Sequence, residues 1–417
     1  MRNVYMVLCQ GNVYRDVVRL GMLRHLLDSS PDIRVILLTQ AWAVPEVRRE
    51  IEHERIILAR HDLYSATRWP SRLIRLRQVQ RRRPVIDLLT RLESLVAPQP
   101  AGLPELFAQL PPSLVVSTHP YSVYEWDVIS FAHRLGVPTA GIMKSWDNIL
   151  RLPQVRPRSL AVWGRTNFRE AVEVTRYRED ELRMVGAMPF DRYFTPGVVR
   201  PRTEFWQSKG LDPSRPVVLF GTAGAFSDDW DETFMLELLL KLTEQCDELR
   251  DVQFVCRLHP ITHLEYFWPY RDHPRVVISF GSYVKTLGWC MTKAEVDDMA
   301  NMLCNADLVI TPASTLSVEA PIFDTPTVVT LFSSVAGDTH ARRIEEGWLK
   351  MHFKPIVEND WLPLARTAQD LKEMMIRSLR DRSWYREGRC ALVDQVVTLK
   401  DGKSYERAAK FITDLAV

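Results

Sequence analysis

Short apolar runs, many of them β-branched, recur along the chain, and each closes on small or polar residues. The longer stretches between them carry apolar positions at helical spacing. Strands that alternate with amphipathic helices predict βαβ units and parallel sheets. In the first half, strands are expected at Val4 to Cys9, Arg34 to Thr39, Arg55 to Leu58, Leu114 to Ser117, Thr139 to Met143, Leu160 to Trp163 and Arg183 to Val185. Helices are expected at Val13 to Leu27 and Val123 to Leu135, the second ending at Gly136, a residue suited to a left-handed cap.

Phe194 to Pro216 breaks this pattern with Pro196, Pro201, Pro213 and Pro216, which predicts an exposed linker and hinge. A second α/β series follows. Its strands are expected after Pro216, at Val252 to Cys256, at Val276 to Phe280, from Leu308 and at Thr327 to Leu331. Its helices are expected at Asp231 to Cys246, at Lys293 to Cys304 and beyond Asp370. A chain of 417 residues exceeds one ordinary core. The expected fold class is therefore α/β: two Rossmann-like, doubly wound domains, 1–195 and 217–385, joined by a 196–216 linker and facing across a cleft, with a helical segment at 386–417.

Composition adds exclusions. A net charge of +2 gives no general argument for nucleic acid as a partner. Cys9, Cys246, Cys256, Cys290, Cys304 and Cys390 are scattered without a Cys-x-x-Cys pair, which favours reduced thiols and a cytoplasmic protein. The apolar start is too short for a signal peptide, and no run approaches the ~20 apolar residues of a membrane span. Any membrane contact is expected to be peripheral.

Two strand ends of the second half carry the densest chemistry. One delivers Arg257, His259 and Pro260; the other delivers Thr311, Ser314, Thr315 and, after a helix start, Glu319. Ligands of open α/β sheets lie outside the carboxyl ends of the strands. A guanidinium bridges phosphate oxygens, an imidazole bonds a phosphate or assists a leaving group, and a helix start offers N–H groups to an anion. The set predicts a nucleotide phosphate. A plainer reading pairs Arg257 with a carboxylate, lets His259 cap a turn, and makes Ser314 or Thr315 an ordinary helix cap. His263 completes a His-x-x-x-His spacing, but Pro260 intervenes and no Glu follows the first His, so no metal site is expected.

Gly221 and Thr222 open the turn G-T-A-G-A-F, where small residues let backbone N–H groups approach a ligand or the opposite domain; the Walker lysine is missing. The matching turn of the first half, Gln10 to Asp16, bends at Gly11 and offers Asn12, Arg15 and Asp16 to the cleft or to solvent. K-S-W-D-N, Lys144 to Asn148, closes another strand. An exposed Trp146 there would need a partner such as a sugar ring, and Asp147 would act as general base or nucleophile. His119, followed by Pro120 and Tyr121, is the second candidate base, with Asp16 and Glu125 behind it. Loop capping or a buried hydrogen bond is the structural alternative for each.

Arg68 to Arg83 is rich in arginine. On a helix Trp69, Leu73 and Leu76 share one side, with Arg68, Arg72, Arg75 and Arg82 on an adjacent one. The pattern fits an anionic membrane surface, the solvated face of a domain helix or, less well, RNA.

These motifs resemble the GT-B glycosyltransferases, and among them the bacterial capsule and teichoic-acid enzymes grouped with CDP-glycerol glycerophosphotransferases and Kdo transferases. The resemblance rests on His259-Pro260 after Arg257, D-L-V-I-T-P-A-S-T-L-S-V-E-A from Asp307, A-V-W-G at Ala161, V-G-A-M-P-F-D-R-Y-F at Val185 and D-G-K-S-Y-E-R at Asp401. It implies an acceptor-holding first domain, a nucleotide-donor second domain, no metal and no cofactor besides the nucleotide-sugar substrate. It also implies a C-terminal helix that returns to the first domain. By this likeness Arg257, His259, Ser314, Thr315 and Glu319 would bind the donor. The teichoic-acid pattern Asp-Tyr-Ser-Ser is absent at Thr311 to Thr315, which favours a sugar nucleotide over a glycerol-phosphate donor. UDP-N-acetylglucosamine 2-epimerases are also similar in fold but carry a Ser-Gly-Gly run that this chain lacks.

The expected function is transfer of a sugar from a nucleotide donor to a surface-polysaccharide or glycolipid acceptor, at the inner face of a bacterial membrane or in the cytoplasm. The rivals are a nucleotide-sugar epimerase, a CDP-polyol phosphotransferase and a non-catalytic nucleotide-sugar-binding protein.

Overall fold

The structure is a computed structural model and describes residues 1–65, 68–149, 153–222, 224, 233–284, 286–312, 314–332 and 353–416. Ala223, Ala225 and Phe226 of the glycine-containing turn, Asp231 and Ala313 lie outside the described residues, as do the side chains of Arg68 and Trp69. The chain divides into two compact units: Met1–Phe194 with Ser282–Lys293 and Gln395–Val417, and Thr195–Gly281 with Ala294–Asp394.

The first unit holds a seven-stranded parallel sheet: β1 Arg2–Val7, β2 Ile33–Thr39, β3 Ile56–Arg60, β4 Pro112–Ser117, β5 Thr139–Ile142, β6 Ser159–Val162 and β7 Leu182–Met184. Their order is β3-β2-β1-β4-β5-β6-β7, so the winding reverses between β1 and β4. Strand alternation feeds two cores. Val4, Met6, Val35, Leu37, Leu114 and Val116 pack in one, while Tyr5, Val7, Ile36, Leu38 and Val115 pack in the other. Burial on both faces is why these strands read as nearly continuous apolar runs.

The second unit holds β8 Val217–Gly221, β9 Gln253–Arg257, β10 Val276–Ser279, β13 Leu308–Pro312, β14 Thr327–Thr330 and β15 Leu364–Ala365. Its order is β10-β9-β8-β13-β14-β15, with the reversal between β8 and β13. Each unit is thus a doubly wound, Rossmann-like sheet, and ligands of such sheets lie at the carboxyl side of the reversal.

Several elements depart from expectation. Val13 to Leu27 is not one helix. A turn at Gly11–Tyr14 runs into a π-helical stretch, Arg15–Arg19, and Gly21 adopts φ +103 before the helix Met22–Ser29 begins. The proline-rich stretch 194–216 is not a bare linker either. It contains the helix Arg202–Ser208, whose Phe205 and Trp206 are fully buried, and Arg202 pairs with Asp307 at 2.7 Å. Pro201 does not prevent the helix because it stands at the N-cap, where a missing N–H costs nothing.

A third departure lies at β11 Tyr283–Val284 and β12 Gly288–Trp289, an antiparallel hairpin that groups with the first unit rather than with its sequence neighbours in 217–385. The Gly11 amide donates to the Leu287 carbonyl at 2.8 Å, and Gln40 Nε2 donates to the Thr286 carbonyl at 2.9 Å. A Cβ at Gly11 would collide with the Trp289 carbonyl. This glycine therefore admits the hairpin, not a ligand. The chain rejoins the first unit at Gln395, inside the helix Arg386–Val396. The last helix, Ser404–Leu415, sends Ala408, Ala409, Phe411 and Ile412 into the same core as Val4 and Met6.

Candidate functional site

In the second unit Gly221 pairs with Arg257, and Arg257 with Ser279, which sets the ends of β8, β9 and β10 side by side. Thr222 is the junction. Its amide donates to the Arg257 carbonyl at 3.0 Å, while its hydroxyl accepts from the His259 amide at 2.7 Å and meets the Thr262 hydroxyl at 2.9 Å. Thr311 donates its hydroxyl to the Gly221 carbonyl at 3.2 Å and lies 2.7 Å from the Ser314 hydroxyl. The carboxyl ends of β8, β9 and β13 thus gather Gly221, Thr222, Arg257, His259, Pro260, Ser314 and Thr315 at the reversal of the sheet, with Glu319 one turn into the following helix.

Their individual states differ from what the sequence predicts. Arg257 is only 7% exposed, and its Nη1 donates to Ser279 Oγ at 3.0 Å. It braces the edge strand rather than standing open to a phosphate. His259 accepts at Nδ1 from the Ile261 amide at 3.3 Å, which leaves the proton on Nε2. Burial lowers its pKa to about 4, so the ring is a neutral single donor at physiological pH and not a cation. Gly224, at φ +87, lies so close that a Cβ there would sit 2.6 Å from His259 Nδ1. Neither Ser314 nor Thr315 caps the helix. Thr315 is the N-cap without a side-chain bond, and the carbonyls of Ser314 and Thr315 already take the amides of Ser317, Val318 and Glu319. The helix Leu316–Ile322 is short, so its hydroxyls rather than its dipole are the available chemistry. Gly221 accommodates the Leu316 side chain, with which a Cβ would collide.

In the first unit the ends of β1, β4, β5 and β6 carry the other candidates. Asp16 is not an open base. It is buried in an ion pair with Arg15 at 2.6 Å, and burial raises its carboxyl against the opposing pull of Arg15 and Lys144. Lys144 Nζ donates to Gln10 Oε1 at 2.6 Å, tying the ends of β5 and β1. Glu125 is fully buried, accepts from Ser117 Oγ at 2.5 Å and from the His119 amide at 3.2 Å, and is pushed up to about 7 by burial. It shapes the His119 turn from beneath. Trp146 is buried and so packs within the protein instead of standing open to a sugar ring, and its carbonyl accepts from Asn167 Nδ2 at 2.5 Å.

That bond joins the Lys144–Asn148 loop to the helix Arg165–Glu173, where the sequence reading missed a residue. Burial pushes the Glu170 carboxyl up to about 7; Asp147 and Glu173 raise it further, against Asn167 and Arg169. Glu170 Oε2, Asn167 Oδ1, Thr166 Oγ1, Asn148 Oδ1 and the Tyr121 hydroxyl are buried atoms without a protein partner. Such groups cost about 1–3 kcal/mol each unless water or a ligand meets them. A glutamate three residues after Asn167, at helical spacing on a half-buried face, was the available signal. Periodicity alone could not tell it from a solvated position.

The chain has the GT-B type of fold, two doubly wound, Rossmann-like units. No protein-family model matches the chain, and no curated protein does. Among solved structures it is similar to MnaA of S. aureus in complex with UDP (TM-score 0.58, 12% identity, covering 100% of this chain and 98% of that one). It is also similar to a putative UDP-N-acetylglucosamine 2-epimerase from Listeria monocytogenes (0.57, 12%, 98% and 94%) and to the wall teichoic acid polymerase TagF (0.54, 12%, 99% and 89%).

Proposed function

We propose that this protein transfers a sugar from a nucleotide-activated donor to a surface-polysaccharide or glycolipid acceptor without a metal. The observation that carries the reading is the buried polar cluster where the Lys144–Asn148 loop meets the helix Arg165–Glu173: Glu170 Oε2, Asn148 Oδ1 and the Tyr121 hydroxyl have no protein partner, and burial, with Asp147 adding to it, raises Glu170 to about 7. Asp147 takes the proton of the acceptor hydroxyl as its oxygen bonds the anomeric carbon and the nucleotide phosphate departs. Glu170 holds its proton to about pH 7 and keeps a second negative charge out of the site. His119 stands as the alternative base.

On the donor, His259 Nε2–H bonds a phosphate oxygen, and the hydroxyls of Ser314 and Thr315 and the carboxylate of Glu319 meet the remaining phosphate and ribose groups. Gly221, Thr222 and Pro260 fix the turns, and Arg257 steadies the strand. Likeness to a structure solved with UDP and to a teichoic acid polymerase supports a nucleotide-bound donor. Likeness to a 2-epimerase favours a second reading, isomerisation of the donor without an acceptor.

A panel of nucleotide sugars, with and without glycan or lipid-linked acceptors, separates the two. Acceptor-dependent nucleotide release, lost at least ~100-fold in Asp147→Asn with donor binding unchanged, supports transfer. Isomerised donor in the absence of acceptor supports the epimerase. No turnover with any donor sinks both, and donor binding that persists alongside it points to a binding protein.

A further inference from the structure

We infer that the helical hairpin of Arg68–Gln78 and Arg83–Val96 docks on an anionic lipid bilayer. The sequence pattern raised a membrane through one helix, with Trp69, Leu73 and Leu76 beside Arg68, Arg72, Arg75 and Arg82; the structure ends that helix at Gln78, redistributes the arginines and adds an apolar surface on the second helix. Arg77 turns inward, buried against Glu93 at 2.6 Å, with Ile74 beside it in the buried set. Arg83 is held by Glu181 at 2.6 Å and by Asp87 at 2.7 Å. The two acids of the hairpin are thereby taken up by these two arginines.

What remains outward is apolar and basic. Leu76, Val79, Leu88, Leu92, Leu95 and Val96 are 50%, 65%, 55%, 38%, 66% and 52% exposed, a concentration of large apolar surface within a short span of chain. Arg72, Arg75, Leu76 and Val79 recur at i, i+3, i+4 and i+7, and so do Leu88, Arg91, Leu92 and Leu95. Arg81 and Arg82 stand exposed at the bend between the helices. Leucine at the centre of an outward helix face, accompanied by arginine and by one half-exposed acid, Asp87, that Arg83 answers, suits a helix lying in a lipid interface. Charge complementarity selects the occupant, because a neutral apolar partner would desolvate the exposed guanidiniums of Arg75, Arg81, Arg82 and Arg91 without answering their charge. Among the described residues no helix is long and apolar enough to cross a membrane, so the attachment is to the surface.

The test is flotation of the full chain with vesicles of phosphatidylcholine alone and with about a third phosphatidylglycerol. Binding is expected only to the anionic vesicles and is expected to weaken with salt. Each arginine contributes about fivefold, so Arg75→Glu/Arg81→Glu/Arg82→Glu should lower affinity ~100-fold. Leu88→Ser/Leu92→Ser/Leu95→Ser should lower it at least ~10-fold, with thermal melting unchanged because these side chains are exposed. Vesicle binding is read without substrate, so its failure leaves the proposed reaction standing. Absent binding, or binding indifferent to both sets of changes, overturns the inference. Dimerisation abolished by the leucine changes without vesicle binding gives the face to a second copy of the chain. Equal affinity for a single-stranded oligonucleotide, unaffected by those changes, gives it to polyanions. Both results overturn a bilayer.

Discussion

The Asp191 carboxylate accepts a hydrogen bond from the Tyr405 amide at 2.8 Å, across 214 positions of chain. The bond sits within a larger joint. Arg407 donates to the Val185 carbonyl at 2.8 Å and grips Asp401 through two bonds of 2.8 Å, and a Cβ on Gly186 would collide with Ser404. The motifs at Val185 and Asp401, which support the resemblance to GT-B enzymes, therefore meet each other. Their role is to seat the last helix on the first unit.

Replacing Asp191 with Ala should accordingly destabilise the first unit without altering nucleotide binding by the second. The loss removes a buried acceptor and strands an amide, so about 1–3 kcal/mol is expected. Thermal melting alongside nucleotide titration checks it; an unchanged melt would contradict the joint.

Breaking the buried Arg77–Glu93 pair should be costlier. Glu93 also accepts from Trp126 Nε1 at 3.2 Å, so Arg77→Ala leaves a buried carboxylate with one neutral donor. About 3–5 kcal/mol is expected, against far less for Arg81→Ala at the exposed bend. Chemical denaturation of the two variants gives the comparison.

The stability that Glu125 and Glu170 contribute should fall as pH rises from 5 to 8. Glu125 and Glu170 hold protons up to about 7 in the folded chain, whereas an unfolded glutamate releases its proton near ~4.3. The folded state thus binds more protons between those values, and the stability present at low pH is lost as pH climbs through 7. Each group contributes up to about 3 kcal/mol to that slope. Glu125→Gln should match the parent near pH 5 and melt higher than it at pH 8. An equal difference at both pH values would show that the carboxyl is not raised.

Nucleotide binding should show no inflection near pH 6.5 from His259, since its ring is neutral above about 4. His259→Ala should weaken nucleotide binding about tenfold, as expected for loss of one hydrogen bond to a charged phosphate. Thr222→Val, which removes the acceptor holding the His259 amide, should weaken binding too while leaving Ser314 in place. Calorimetric titration from pH 5.5 to 8 would expose a charged imidazole if there were one.

Legibility followed locality. Each strand of the first sheet lies where its apolar run predicts, within a few residues, because a strand buried on both faces must be apolar throughout. The gathering of polar and small residues at the ends of β8, β9 and β13 was readable for the same reason: residues directly after such runs emerge at the sheet's carboxyl edge. β15 and the Tyr283–Trp289 hairpin were not, since two-residue strands carry too little pattern and this hairpin's binding to Gly11 and Gln40 is long-range. The Gly21 break was passed over because an isolated glycine inside an apolar period does not announce a left-handed backbone.

The order of residues determined the α/β class, the doubly wound halves and the strand ends at which chemistry gathers, because those depend on local period and on where apolar runs stop. Tertiary packing alone decided which groups stay open there. Arg257 and Asp16 are charged side chains in promising positions, yet one braces Ser279 and the other is paired inside with Arg15. Glu170 carried no sequence signal that set it apart from a solvated position, and burial raises its carboxyl to about 7, because a proton affinity is set by the solvent and charges around a group, which only the folded chain supplies.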